Sequence, residues 1–388
     1  MRLGIDASNL SRGGGVTHLV EFLESSRPSN YQVEQVIVWG SKSTLGKIKD
    51  KEWLLKVNLP VLEKALPYRI YWQSFGLEKE LRARGCDALF VPGGTVWSNF
   101  SPTITMCRNM LPFQTIELKR YGFSLHTLKF RFLRIIQKRS FKKAEGLIYL
   151  NEFAKKNVSE IVGKPKFFSA VIPHGINARF KGIIRPNKKI SRYSEVNPFK
   201  ILYVSIVDVY KHQWGLVRAV EILRAKGFPL ELILVGPSYP PALKKLEKSI
   251  EDSDPSRQFV KYMGAVSYEE LHKIYSEANL NVFASSCENM PNILLEAMAS
   301  GLPIACSNKG PMPEILKDGG LYFDPENPLD IAKTIEQYLL SPSLRDEKAY
   351  KSFNEVNNYS WEKCADETWA FINKVATTNP VEARNLNE

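Results

Sequence analysis

The sequence predicts an α/β protein built from two doubly wound, parallel-sheet domains. The chain has 388 residues, and this length favours two domains. Short apolar runs alternate with amphipathic segments, a pattern typical of parallel strands covered by helices on both faces. The alternation pauses once, over 181–199, where the sequence is polar, basic and rich in turn residues.

The individual elements follow from these runs. Helices are predicted between the strands, for example at 214–225, 269–277 and 328–340. We therefore expect a first domain over 1–181, a linker over 182–199, a second domain over 200–360 and a flexible tail over 378–388. The predicted strands are RLGIDA, VEQVIVW, ALFVP, TITMC, GLIYL and SAVIP in the first half, and ILYVSI, ELILVG, FVKYMG, LNVFASS and LPIACS in the second.

Composition restricts the function classes. The net charge of +12 points to an anionic partner, which leaves nucleic acid, a membrane surface or a phosphorylated ligand. The five cysteines form no metal-ligand spacing, so we expect a reducing cytoplasm and no zinc site or disulfide framework. There is no run of eighteen apolar residues, and the start of the chain lacks the apolar core of a signal peptide.

Two glutamates mark the stretch SCENMPNILLEAMASGLP. Asn289 is predicted to cap a helix that begins at Pro291, and the N–H groups at such a helix start favour a phosphate. Glu288 lies beside this position, and Glu296 lies about 12 Å along the helix. Two carboxylates at this separation suit two hydroxyl groups of an extended ligand. In the alternative interpretation, Glu288 is only a charge at the helix start and Glu296 is a surface residue. The apolar neighbours of Glu296 favour the ligand interpretation.

The longer stretch SSCENMPNILLEAMASGLPIACSNKGPMPEIL resembles the signature of family 4 glycosyltransferases. These are retaining enzymes of the GT-B fold, in which two Rossmann-like domains face a central cleft. The resemblance implies that Glu288 faces the transferred sugar and that Glu296 binds the ribose hydroxyls of the donor. It also implies a C-terminal helix over 361–377 that returns to the first domain, which would bind the acceptor. The matching positions are Glu288, Glu296, Ala297, Met298, Ala299, Gly301, Pro303, Pro313, Glu314 and Ile315, and the neighbouring donor-binding positions are Asn289, Met290, Asn292 and Ile293.

The resemblance also covers the turn within ILYVSIVDVYKHQW. Lys211 matches the family's phosphate-binding lysine, although a lysine in a turn is by itself more often a solvated charge. Ser205 and Ile206 stand where the family has Gly-Arg, so the usual arginine is missing. His212 and Arg108 are the candidate replacements for its positive charge. The helix N-terminus is a further source of that charge.

The first domain carries weaker signals. The turn SNLSRGGGVTH resembles the family's first loop, so Gly14 and Gly15 are assigned to ligand binding, with Arg12 and His18 as further candidates. In TITMCRNMLPF, Arg108 takes the place of the family's histidine. It either binds an anionic substrate group or caps a strand. In the second domain, Val266 follows the turn at Gly264 and is expected beside the base.

Residues 119–143 contain nine Lys or Arg and no acidic residue. Leu125, Leu128, Phe132 and Ile135 fall at helical spacing, so the segment predicts a basic amphipathic helix. Its apolar stripe either faces the core or binds an anionic membrane. RNA binding is the rival, but no nucleic-acid motif supports it.

The sequence therefore predicts a retaining, metal-independent hexosyltransferase with Glu288 and Lys211 at its centre. The first expectation is mannose transfer from GDP-mannose to a lipid-linked saccharide of a cell-surface polysaccharide or lipopolysaccharide. We expect no cofactor and no nucleic-acid partner. We also expect the protein to lie on the cytoplasmic face of the inner membrane. The alternatives are an epimerase or hydrolase of sugar nucleotides on the same scaffold, or a non-catalytic membrane or RNA binder.

Overall fold

The computed structural model describes residues 1–11, 13–163 and 168–378, and this part of the chain divides into two compact units. Unit 1 contains residues 1–113, 123–175 and 359 onward, and unit 2 contains residues 114–122 and 176–358. The prediction of two parallel-sheet α/β domains is confirmed. The units differ from the predicted domains in two main respects. The short segment 114–122 packs with the second half of the chain, and unit 2 begins at residue 176, so it includes the predicted linker.

Within the described residues, unit 1 is built on a parallel sheet in the order β3-β2-β1-β4-β5-β6-β7. Three central strands, β4, β5 and β6, are buried along their whole length, as expected when helices cover both faces of a sheet. The strands are β1 Arg2–Asp6, β2 Gln35–Trp39, β3 Leu54–Val57, β4 Ala88–Val91, β5 Thr103–Met106, β6 Gly146–Tyr149 and β7 Phe168–Val171.

The helices of unit 1 include the C-terminal helix of the described chain. That helix packs on the first one, where the indole of Trp369 stacks on Phe22 and donates a hydrogen bond to Ser26 Oγ at 2.8 Å. The helices are α1 Gly14–Ser25, α2 Lys42–Leu45, α3 Leu66–Phe75, α4 Leu77–Ala83, α6 Leu125–Lys143, α7 Glu152–Val162 and α15 Trp361–Thr377. Helix α5, Thr115–Lys119, belongs to unit 2.

Unit 2 contains a second parallel sheet in the order β10-β9-β8-β11-β12-β13. Its strands are β8 Phe199–Val204, β9 Leu230–Val235, β10 Val260–Tyr262, β11 Leu280–Phe283, β12 Ile304–Ser307 and β13 Leu321–Phe323. Its other helices are α8 Gln213–Ala225, α9 Pro240–Ser253, α10 Leu271–Glu277, α11 Asn292–Ala299, α12 Met312–Leu316, α13 Pro328–Leu340 and α14 Pro342–Glu355.

The stretch predicted as a linker packs against unit 2. The fully buried guanidinium of Arg345 donates to the carbonyl of Lys188 and to Asn187 Oδ1, and Arg185 donates to the carbonyl of Ala278 at 2.6 Å. These charge-assisted bonds fix the backbone of the predicted linker within unit 2.

The basic segment 119–143 is two elements rather than the one predicted helix. Helix α5 ends at Lys119, and Gly122 has a φ of 59°, which breaks the helical path. The side chain of Ser124 then caps α6 by accepting from the backbone N–H of Thr127. The predicted tail, 378–388, lies outside the described residues except for Thr378.

The buried imidazole of His18 makes the stability of unit 1 depend on pH. Burial, Arg108 and His174 hold the pKa of His18 well below its usual value. Below pH 6.5 the unfolded chain therefore binds a proton that the folded chain does not. This costs the native state about 1 kcal/mol between pH 7.5 and pH 5.5. The thermal unfolding midpoint of the wild type should therefore fall when the pH is lowered from 7.5 to 5.5. In His18→Leu we expect this fall to be smaller by a few degrees. Equal falls in both proteins would contradict this.

Candidate functional site

The candidate site lies where the strand order of unit 2 reverses. Strands β8 and β11 are neighbours, and the chain leaves them in opposite directions across the sheet. Doubly wound sheets bind ligands outside the carboxyl ends of the strands at this position. The loop after β8 carries Lys211, and the loop after β11 carries Glu288.

An ion pair joins these two loops. Lys211 Nζ contacts Glu288 Oε1, and the two side chains are only 5% and 14% exposed. The ammonium also lies 5.1 Å from the ring centroid of Tyr210 and 5.5 Å from that of Phe283. A pair so withdrawn from water holds both charges in place, because either one alone would be costly to bury. The structure thus brings together the two residues predicted to be catalytic.

Backbone and side-chain hydrogen bonds fix the same two loops. The N–H of Ser286 donates to the carbonyl of Tyr210 at 2.8 Å, which ties the loop of Glu288 to that of Lys211. The Tyr203 hydroxyl donates to the carbonyl of Lys211 at 3.0 Å. Sequence reasoning did not predict these two tyrosines, because their roles depend on the strand order and not on a local pattern.

Helix α11 begins at Asn292 with Pro291 as its N-cap residue, so the prediction that Asn289 caps it is wrong. The extended ψ of Pro291, 101°, lets its carbonyl accept the first helical bond, from Leu294 at 2.9 Å. The N-cap residue Pro291 makes no side-chain capping bond, and the first turn of the helix holds no acidic residue. The positive end of its dipole is therefore suited to an anionic ligand.

The other predicted donor-binding residues lie around this helix start. Asn289 and Met290 are buried in the turn, and Asn292 and Ile293 are half-buried in the first helical turn.

Glu296 is a buried carboxylate and not a surface charge. Its side chain is 2% exposed, and the hydroxyl of Tyr275 donates a hydrogen bond to its Oε2 at 3.4 Å. The same hydroxyl lies 3.2 Å from the carbonyl of Ile293. Burial raises the pKa of Glu296 to about 7, against the smaller lowering effects of Tyr275 and Arg179. Tyr275 lies 21 residues upstream on α10, so the sequence offered no signal for this contact.

His212 does not supply the positive charge of the family's arginine, whose position is occupied by Ile206 in this chain. Ile206 is 38% exposed, whereas the imidazole of His212 is 3% exposed. Burial, together with the nearby Arg120, lowers the pKa of His212 to about 4. His212 is therefore neutral at physiological pH and supplies no positive charge, which corrects one of the two proposed replacements.

The predicted residues Ser205 and Val266 lie on the same carboxyl edge of the sheet. Ser205 is buried directly after β8, and Val266 is half-buried two residues after Gly264. Gly236 joins their loops: its N–H donates to the carbonyl of Gly264 at 2.8 Å. A Cβ at Gly236 would come within 2.1 Å of the carbonyl oxygen of Ser205, so the close approach of these loops requires glycine.

The site residues predicted in unit 1 lie around the start of α1. Arg108, which follows β5, donates to the carbonyl of Gly14 at 2.5 Å and to that of Gly15 at 3.2 Å. Burial lowers the pKa of Arg108 to about 10, so the guanidinium stays charged at neutral pH. Its contacts within this unit hold the glycine turn at the start of α1.

The two further candidates in this loop have different outcomes. Arg12 lies outside the described residues. His18 is fully buried and packs against His174 and Trp361, with ring centroids 4.9 Å and 5.8 Å away. His18 is therefore a core residue of unit 1.

The buried carboxylate of Glu296 predicts a measurable effect on stability. The folded chain holds the proton up to a pKa of about 7, whereas the unfolded chain loses it near pH 4.5. The wild type therefore loses stability as pH rises through this range, by up to about 3 kcal/mol. We expect Glu296→Gln to have the higher unfolding midpoint at pH 8 and a smaller advantage at pH 5.5. A variant that is less stable than the wild type at pH 8 would contradict the assignment.

The chain resembles known proteins most clearly in unit 2. Residues 185–355 match the family of glycosyl transferases group 1. The O-antigen chain mannosyltransferase B of Escherichia coli is 28% identical over 171 residues, which are 43% of this chain and 44% of that protein. The chain spans between 30% and 60% of the length of the first eight curated relatives it matches.

Two solved structures share the fold over nearly the whole chain. Sucrose-phosphate synthase from Thermosynechococcus elongatus superposes with a TM-score of 0.74 at 16% identity, covering 96% of this chain and 98% of that one. HepE from Anabaena, solved in complex with UDP-glucose, gives a TM-score of 0.66 at 14% identity, covering 95% and 99%. Residues 185–355, which carry Lys211, Glu288 and Glu296, are therefore similar to the glycosyl transferases of group 1, and the chain has the GT-B fold.

Proposed function

We propose that the protein is a retaining glycosyltransferase that moves a hexose from a nucleoside diphosphate sugar to a hydroxyl group of an acceptor. The observation that carries this proposal is the buried Lys211–Glu288 pair at the strand reversal of unit 2, where α11 begins in the loop of Glu288. A diphosphate is the ligand that suits both an ammonium group and a helix N-terminus.

Each residue of the site has a role in this reaction. Lys211 and the dipole of α11 stabilise the charge that develops on the departing diphosphate. Glu288 holds a hydroxyl group of the sugar, and Glu296 accepts hydrogen bonds from the ribose. The neighbouring turns at Ser205 and Val266 enclose the nucleotide.

The chemical step is an internal return. The bond between the anomeric carbon and the diphosphate oxygen breaks, and the acceptor oxygen bonds to the same face of that carbon. The acceptor proton passes to the leaving phosphate oxygen. The site needs no second carboxylate as base in this scheme, and we propose that it needs no metal.

The donor we propose first is GDP-mannose, and UDP-hexoses come second. The similarity to an O-antigen chain mannosyltransferase supports mannose, and the complex of HepE with UDP-glucose supports the rival base. We accordingly propose a lipid-linked saccharide of a cell-surface polysaccharide or lipopolysaccharide as the acceptor.

Helix α6 supports a peripheral membrane location. Leu125, Leu128, Phe132 and Ile135 lie on one helical face and are 84%, 66%, 60% and 67% exposed. Basic residues flank this stripe, and 119–143 contains no acidic residue. An anionic bilayer suits both features, since apolar side chains enter the interface while each basic residue near the surface contributes about 1 kcal/mol. Among the described residues, no helix is both long and apolar enough to cross a bilayer.

The decisive test of activity replaces the two charges separately. We expect Lys211→Met and Glu288→Gln each to lower transfer at least about 100-fold, because each removes a charge that acts on the transition state. Transfer from radiolabelled GDP-mannose and UDP-hexoses to a lipid extract measures this, and thermal unfolding confirms that each variant is folded. Wild-type turnover by folded Glu288→Gln would contradict the assignment.

Control reactions separate the alternatives. Nucleotide release that requires the lipid extract supports a transferase, whereas equal release without it indicates a hydrolase. Addition of EDTA should leave the rate unchanged, and a loss of rate that Mg²⁺ or Mn²⁺ restores would overturn the metal-independent scheme.

Membrane binding is tested by inserting charge into the stripe of α6. We expect Leu128→Asp/Phe132→Asp to lower binding to vesicles of three parts phosphatidylcholine and one part phosphatidylglycerol by about tenfold or more. The control variant Val196→Asp/Leu340→Asp makes the same change at two other exposed apolar residues and should bind as the wild type does. Equal binding by both variants would refute the membrane surface.

A further inference from the structure

The segment 114–122 has an unusual place in the fold. Unit 1 contains the chain on both sides of it, yet the segment itself packs within unit 2. Three of its side chains, Glu117, Arg120 and Tyr121, contact the loops that follow β8, β11 and β13. Two of these loops present Lys211 and Glu288.

The first contact reaches the loop of Glu288. Glu117, on α5, is 6% exposed and accepts a hydrogen bond from Ser286 Oγ at 2.8 Å. Ser286 precedes Glu288 by two residues, and its N–H donates to the carbonyl of Tyr210, which precedes Lys211. Glu117 therefore binds the residue at which the two loops of the site are joined.

The same hydroxyl also contacts the loop of Lys211 through His212. His212 Nε2 lies 2.9 Å from Ser286 Oγ, and burial keeps this imidazole neutral at physiological pH. The hydroxyl of Ser286 uses its hydrogen in the bond to Glu117, so its oxygen can only accept from His212. His212 therefore donates its Nε2–H to Ser286 Oγ. The result is a buried hydrogen-bonded chain from His212 through Ser286 to the carboxylate of Glu117.

The two remaining contacts attach the segment on either side of this chain. The Tyr121 hydroxyl donates to Asp208 Oδ1 at 3.0 Å, and the carbonyl of Asp208 accepts from the N–H of Lys211 at 3.0 Å. Arg120 pairs with Glu117 at 2.8 Å and with both carboxylate oxygens of Glu326 at 2.6 Å and 2.9 Å. The segment thus holds the loops of Glu288 and Lys211 by one hydrogen bond each, and both bonds are charge-assisted because the acceptor is a carboxylate.

We propose that Glu117 is a positioning residue of the transfer reaction, acting through Ser286 to hold Glu288 and Lys211 in their reactive placement. The proposal rests on the proposed function. Glu117 is joined to the loops of the ion pair through Ser286, so its effect falls on the geometry of the reacting groups. Displacing such groups by about 1 Å costs on the order of 100-fold in rate.

The test is a double-mutant cycle in the full chain. Ser286→Ala removes the bridging hydroxyl, and Glu117→Gln removes the charge while Arg120 keeps its pair with Glu326. We expect each single variant to lower kcat by between about 10-fold and 100-fold, with the donor KM changed by less than about threefold. We expect the double variant to lose no more than the worse single variant, because both changes act on the same hydrogen bond: Glu117→Gln weakens it by removing the charge, and Ser286→Ala removes it.

Control variants and the binding of nucleoside diphosphate separate positioning from loss of fold. Glu251→Gln makes the same charge change on the exposed face of α9 and should retain wild-type kcat. Variants that act on positioning should still be stabilised thermally by GDP or UDP, whichever stabilises the wild type. Three results would overturn the proposal: wild-type kcat in both single variants, multiplicative losses in the double variant, or losses matched by a smaller folded fraction. A wild-type chain that transfers from no donor would overturn the proposed function itself, and this proposal with it.

Discussion

The ion pair between Lys211 and Glu288 is the interaction on which the candidate site depends. Both side chains are largely withdrawn from water, so each charge needs the other to remain where it is. The pairing exists because β8 and β11 are neighbours, which follows from the reversal of strand order in unit 2. A bound diphosphate would take over from Glu288 as the counter-ion of Lys211 and leave that carboxylate free to bind sugar.

Two features of this site lower the stability of the fold. The N-cap residue of α11 is Pro291, whose side chain cannot cap the helix, and Glu296 is buried with a pKa raised to about 7. Each of these has a simple stabilising replacement, such as a serine cap or a neutral amide. Under the proposed function, each also serves one part of a nucleoside diphosphate sugar. Departures from local stability rules are expected to concentrate at functional sites, and here they concentrate around one helix.

The sequence predicted the fold class and eleven of the thirteen strands in the described chain. It did not predict β3 and β13, which are short, partly exposed strands at sheet edges and lack a continuous buried run. Lys211 and Glu288 were predictable because they belong to turns with fixed spacing. The contacts of Glu117 with Ser286 and of Tyr275 with Glu296 were not, since each joins residues distant in sequence through the tertiary fold.

The most direct test of the account is a crystal structure of the protein with a bound nucleoside diphosphate. The account predicts that the diphosphate lies at the N-terminus of α11, with a phosphate oxygen within hydrogen-bond distance of Lys211 Nζ. It also predicts that the ribose hydroxyls lie against Glu296. A diphosphate bound elsewhere, with the Lys211–Glu288 pair intact and the start of α11 empty, would contradict it.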